Sequence, residues 1–164
     1  MAFTAIAVAA VTSNTTAVTL TVPSGTSGNL MVNWKWETTS SGDIGMRFNG
    51  DTGNNYNFTT MYNYGGSPGS GYMTSQSYIL VHRPSHASDQ SSTGCIYIPD
   101  SQTANKCVTA IYDGGGGSNR WTQGSGTWFN TSSRVTSITF FNQDSTSYYF
   151  RPGCSVELYG MGES

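Results

Sequence analysis

Hydrophobic and polar residues alternate along much of this chain with a period of two. Val18, Leu20 and Val22 alternate with Thr19 and Thr21. Leu30, Val32, Trp34 and Trp36 recur at every second position, as do Ile44, Met46 and Phe48, while Tyr56, Phe58 and Thr60 share one face opposite Thr59 and Met61. Successive side chains of a strand point to opposite faces, so this is the pattern of half-buried β-strands. Similar runs are Thr4 to Val11, Tyr78 to Val81, Cys95 to Ile98, Cys107 to Tyr112, Val135 to Phe141 and Cys154 to Tyr159, and no long helical periodicity interrupts them. About ten short strands at spacings of about 8 to 15 residues predict an all-β fold, a two-sheet antiparallel β-sandwich of jelly-roll type. A chain of 164 residues holds one such domain.

The strand pattern turns on Met46 to Tyr56, MRFNGDTGNNY. Asn, Asp and Gly tolerate positive φ and bond back to their own backbone, so Asn49, Gly50, Asp51, Thr52 and Gly53 predict a hairpin between two strands. A second hairpin is predicted for the N-terminal runs, Thr4 to Val11 and Thr15 to Val22, on either side of Ser13 and Asn14. Gly65 to Gly71 (GGSPGSG) and Asp113 to Gly117 (DGGGG) read as flexible loops, and Ser85 to Gly94 as a polar one. Arg120, Trp121, Trp128 and Phe129, set among Gly, Ser and Thr beside DGGGG, form a candidate recognition tip. Trp34 and Trp36 belong to the core by their strand pattern, whereas Trp121 and Trp128 suit either an exposed contact or the core.

Charge narrows the partners. Only 10% of residues are charged, against about 25% in an average domain. The seven basic residues are scattered singly, with a net charge of −2, so no stripe exists to neutralise phosphates and neither nucleic acid nor an anionic membrane is an expected partner. A surface of hydroxyls, amides and tyrosines has little self-repulsion and suits packing against neighbours. The apolar start, MAFTAIAVAAVTSN, lacks a basic n-region and continues into strand-like sequence, which reads as a first strand rather than a secretory signal.

Chemistry is sparse. Cys95, Cys107 and Cys154 do not follow a zinc spacing. They read as buried free thiols, with a Cys95 to Cys107 bridge as the alternative. His82 and His86 stand four apart, but Pro84 between them argues against the helix that would make them joint ligands, so no metal is expected. The carboxylates, among them Glu37, Asp43, Asp51, Asp100 and Asp144, fall mostly in turns. A glycosidase pair from distant strands stays open, but no Ser lies in a nucleophile elbow, so no catalytic residue, cofactor or enzymatic activity is expected.

Arg47, Phe48, Asn49, Gly50, Asp51, Asn55 and Tyr56 within RFNGDTGNNY, then IYIPD (Ile96 to Asp100) with Lys106, then VTSITF (Val135 to Phe140), then PGCSVELYG with Leu158, Tyr159 and Gly160, resemble together a family of tailed-bacteriophage virion proteins. These are variously minor structural, head-decoration or tail-fibre-like proteins, and the likeness runs from Asn29 to Gly162. It departs at Cys154, where Ser is commoner, and in the GGSPGSG and DGGGGSNRW loops. The resemblance implies a jelly-roll module of the virion, made in the bacterial cytoplasm, non-enzymatic and oligomeric. With no shaft or coiled coil, a capsid decoration or cement protein is favoured, bound to the major capsid protein and to itself as a homotrimer. Residues 1–22 are then the expected attachment arm, since they lie outside the best-matched region. The alternative is a tail-associated receptor- or carbohydrate-binding module, with Trp121, Trp128 and the tyrosines around Tyr62 and Tyr64 on host glycan.

Overall fold

The computed structural model describes residues 2–26, 28–40, 42–83, 91–103, 106–117 and 120–162. Among these the strands are β1 (Ala2–Ala10), β2 (Ala17–Thr21), β3 (Asn29–Trp36), β4 (Ile44–Phe48), β5 (Tyr56–Tyr64), β6 (Ser67–Gln76), β7 (Ile79–His82), β8 (Ser92–Ile98), β9 (Val108–Gly116), β10 (Arg120–Trp128), β11 (Ser137–Asn142) and β12 (Ser155–Gly162). They form two antiparallel sheets, one of eight strands in the order β1-β12-β3-β8-β9-β10-β5-β6 and one of four in the order β2-β11-β4-β7. The chain changes sheet at both ends of β2, β4, β7 and β11.

The period-two pattern decides which face of each strand is buried. Leu30, Val32, Trp34 and Trp36 from β3, Ile96 and Ile98 from β8, and Val156 and Leu158 from β12 meet Leu20, Met46, Phe48, Ile138 and Phe140 from the smaller sheet in one continuous core. Aromatic contacts stitch the layers together. Trp36 packs on Phe140 with ring centroids 5.3 Å apart, and Phe48 packs on Trp128 at 5.6 Å. Each large side chain taken fully out of water contributes about 1.5–3 kcal/mol, so this seam is the main source of cohesion between the sheets.

Several sequence expectations are corrected. Met46 to Tyr56 is not a hairpin, because β4 pairs with β11 and β7 whereas β5 pairs with β10 and β6 in the other sheet. The N-terminal strands are not a hairpin either. β1 pairs with β12 and β2 with β11, and Val18 and Leu20 enter the core, so residues 2–22 are built into the sandwich rather than extending from it as an arm. In both cases local turn chemistry reverses or bends the chain, while apolar burial decides which sheet receives the next strand.

The two glycine-rich loops are strand as well. GGSPGSG is a tight turn at Gly65 and Gly66, both at positive φ, followed by β6. The two positive-φ residues in succession suit a two-residue hairpin between β5 and β6. DGGGG continues β9 to Gly116, paired on both sides by β8 and β10. Gly114 is a steric requirement: a Cβ there, or at Gly94 opposite it, would collide with the Trp34 indole. Overlooking β6 and β10 as strands accounts for the sequence-based undercount.

Candidate functional site

The residues of the RFNGD segment build a corner between the sheets. Asn49 and Gly50 both have positive φ, and the Asp51 N–H donates to the Phe48 carbonyl, which closes a tight turn. The chain then bends around the Asp51 carboxylate, which accepts from the Gly53 N–H at 2.8 Å, from Asn55 Nδ2 at 3.0 Å and from Trp128 Nε1 at 2.7 Å. Burial acts to raise the Asp51 pKa, but the three donors and the nearby Arg47 outweigh it and hold the carboxyl below its usual value. Tyr56 is fully buried, and its hydroxyl lies 3.1 Å from the Phe48 N–H, which donates to it, and 3.3 Å from the Phe48 and Asp51 carbonyls. Burial pushes its pKa up to about 12.

Asn49 ties the same corner to β11, accepting at Oδ1 from the Thr136 and Ser137 N–H groups and donating from Nδ2 to the Arg134 carbonyl. Arg47 donates to the Ser77 carbonyl at 2.8 Å and lies over the Phe141 ring. Leu158 is core, Gly160 pairs with Leu30 of the neighbouring β3, and the Tyr159 hydroxyl donates to Glu157. The Arg47, Asn49, Asp51 and Tyr56 side chains therefore each have a structural job at this corner.

Of the two candidate contact aromatics, Trp128 is fully buried and is withdrawn from any contact role, while Trp121 is 39% exposed. β10 lies inside the larger sheet between β9 and β5, so alternation sends Trp128 inward and Trp121 outward. The outer face that Trp121 shares is unusual for a surface. A cross-strand row runs Tyr159, Met31, Tyr97, Ile111, Ser125, Thr59, Tyr72, and the next row carries Gln123 and Met61. Met61, Ile111 and Tyr72 are exposed, and they line or flank a shallow depression of about 360 Å³ floored by Gly124. On the outward positions of β12, β3, β8, β9, β10 and β5 the charged side chains are Glu157, Lys35 and Asp113.

A second feature opens on the opposite side of β5. Tyr62 and Tyr64 continue the row of Tyr56, Phe58 and Thr60 beyond the core, and with Ser67 and Pro68 they wall a cleft of about 500 Å³. Its other wall is Asp43 before β4, Arg83 after β7 and Asp144 after β11. Arg83 pairs with the Asp43 carboxylate at 3.3 Å and lies over the Tyr62 ring, and the Asp43 N–H donates to Asp144 Oδ2 at 2.8 Å. Burial pushes the Asp43 carboxyl up to about 6, with Arg83 pulling it down and Asp144 adding to the rise. Sequence reasoning marked the tyrosines and the two carboxylates separately but missed Arg83 and the convergence, because three loops from distant strands meet here and no local pattern signals it.

His82 ends β7 and is buried against Trp34, ring centroids 4.9 Å apart. Neither of its ring nitrogens has a hydrogen-bond partner among the described residues, and burial pushes its pKa down to about 3. His86 lies outside the described residues. Among those described, no group of three His, Cys, Asp or Glu side chains is placed to hold a metal ion. The cysteines are all free, but only Cys154 is buried; Cys95 and Cys107 are exposed, which corrects the expectation of three buried thiols and leaves no bridge. Cys154 fills a place a Ser would suit, its Sγ accepting from the Glu37 N–H and donating to the Glu37 carbonyl. Comparison with family models, with curated proteins and with solved structures gives no match.

Proposed function

We propose that this chain is a non-enzymatic structural protein of a tailed-phage virion, a capsid decoration protein that docks on the major capsid protein through the outer face of its eight-stranded sheet. The observation that carries the reading is that face: Met61, Ile111, Tyr72 and Trp121 stand exposed on a broad surface with few charges. Depleted charge with aromatic and Met enrichment is the composition of an interface core rather than of ordinary surface. The likeness of the RFNGDTGNNY and LYG segments to virion proteins supplies the partner. Copies arranged as a symmetric trimer multiply a weak contact into firm attachment. Cryo-electron microscopy of the intact particle tests it. Density for this chain at threefold or quasi-threefold capsid positions, large sheet inward, is the expected result; density confined to the tail, or none, overturns it.

A further inference from the structure

We propose that the cleft between Asp43, Arg83 and Asp144 on one wall and Tyr62 and Tyr64 on the other binds a neutral saccharide. Its volume of about 500 Å³ is in the range of small-ligand sites. The chemistry of the lining selects the class of ligand. An anion would face the Asp43 and Asp144 carboxylates. A cation would compete with Arg83, which already holds Asp43 at 3.3 Å, and two carboxylates make a poor cage for a divalent ion. An apolar molecule would strand a guanidinium and two carboxylates without water.

A polyhydroxylated ring meets these objections. Each sugar hydroxyl both donates and accepts, so adjacent hydroxyls can donate to a carboxylate oxygen of Asp144 and accept from the Arg83 guanidinium in one planar arrangement. The Arg83 side chain is 34% exposed and lines the cleft, which puts its guanidinium within reach of such an acceptor. The guanidinium is held for the task, stacked on Tyr62 with Cζ 4.5 Å from the ring centroid and tied to Asp43. Tyr64, backed by Arg120 at 3.6 Å, offers the ring that the apolar edge of a pyranose packs against. None of this depends on the capsid-docking reading. Tyr62 and Tyr64 alternate with Met61 along β5 and point to the other face of the sheet, so a chain docked through its outer face keeps the cleft open.

The test uses the purified full chain against an array of bacterial surface oligosaccharides, with saturation-transfer NMR on a panel of simple pyranosides. Binding of at least one saccharide is expected, weakened about tenfold or more by Asp144→Asn, which loses charge-assisted hydrogen bonds but keeps shape. Tyr64→Ala is expected to weaken it as well, while Met61→Ser on the opposite face leaves it unchanged. Matching thermal midpoints for wild type and Asp144→Asn show that the variant is folded. Absence of binding across array and panel, binding indifferent to Asp144→Asn, or NMR shifts of the cleft residues produced by calcium chloride and not by any saccharide overturns the proposal.

Discussion

Trp128 donates its indole N–H to the Asp51 carboxylate at 2.7 Å, which ties the end of β10 in the larger sheet to the connection that leaves β4 in the smaller one. The bond closes the corner where the chain crosses the sandwich. Removing the acceptor leaves a buried indole donor unpaired. Asp51→Ala is therefore expected to destabilise the fold by about 2–3 kcal/mol and Trp128→Phe by a similar amount. In urea denaturation the double variant should cost clearly less than the sum of the two. Additive losses, or a loss for Asp51→Ala within about 0.5 kcal/mol, would show that the corner does not depend on this pair.

The glycine run of β9 separates steric need from flexibility. A Cβ on Gly114 meets the Trp34 ring, whereas one on Gly115 comes no nearer than 3.4 Å to the Arg120 carbonyl oxygen. Gly114→Ala is expected to cost about 1–3 kcal/mol through overpacking, and Gly115→Ala much less. Equal tolerance of both substitutions in thermal unfolding would mean that the segment is not held against Trp34.

His82 gives the protein an acid limit. Its folded pKa is pushed to about 3 from 6.5, so the unfolded chain takes up the proton first. The contribution of neutral His82 is complete above 6.5 and declines as pH falls from 6.5 towards 3, by up to about 1.4 kcal/mol per pH unit. Asp43 acts in the opposite sense. Its folded pKa of about 6 exceeds 3.8, so its protonation favours the folded state as pH falls through 6. His82→Phe should therefore flatten or reverse the acid slope of stability between pH 6.5 and 4, measured by urea titration at each pH. An unchanged slope would place the acid sensitivity elsewhere.

Docking through the outer face predicts a split between binding and folding. Ile111→Asp and Met61→Asp place charge on an exposed patch, and each should leave stability within about 0.5 kcal/mol while abolishing co-sedimentation with undecorated capsids. Retained co-sedimentation by both would remove the face from the interface.

Thiol reactivity should follow exposure. In the native protein a disulfide-exchange reagent is expected to modify Cys95 and Cys107 and to spare Cys154, which reacts only on unfolding. Modification of Cys95 should be favoured by high pH, because burial and the neighbouring Asp113 raise its pKa. Rapid native labelling of Cys154 would contradict its burial. Cys154→Ser should be tolerated, since a hydroxyl can keep both bonds to the Glu37 backbone.

What the sequence determined by itself was the class of fold and most of the core. Period two is a property of each strand alone, so Leu30, Val32, Trp34 and Trp36, or Ile44, Met46 and Phe48, announce their buried face without reference to any partner. Asn49 and Gly50 likewise announce a tight turn, since positive φ is a local preference. Pairing is not local. Whether β5 folds back on β4 or crosses to β10 depends on which arrangement buries Tyr56 and Trp128 together, and that choice rests on residues 72 positions apart. The same holds for DGGGG, where glycine looks like freedom until Trp34 is seen lying over it, and for Trp121 and Trp128, whose opposite fates follow from the register of β10 within its sheet. Asp43, Arg83 and Asp144 each sit in an unremarkable turn. Only the closing of two sheets over one core brings those turns to the same end of the sandwich, because the fold is selected by total apolar burial and the loops go where the strands leave them.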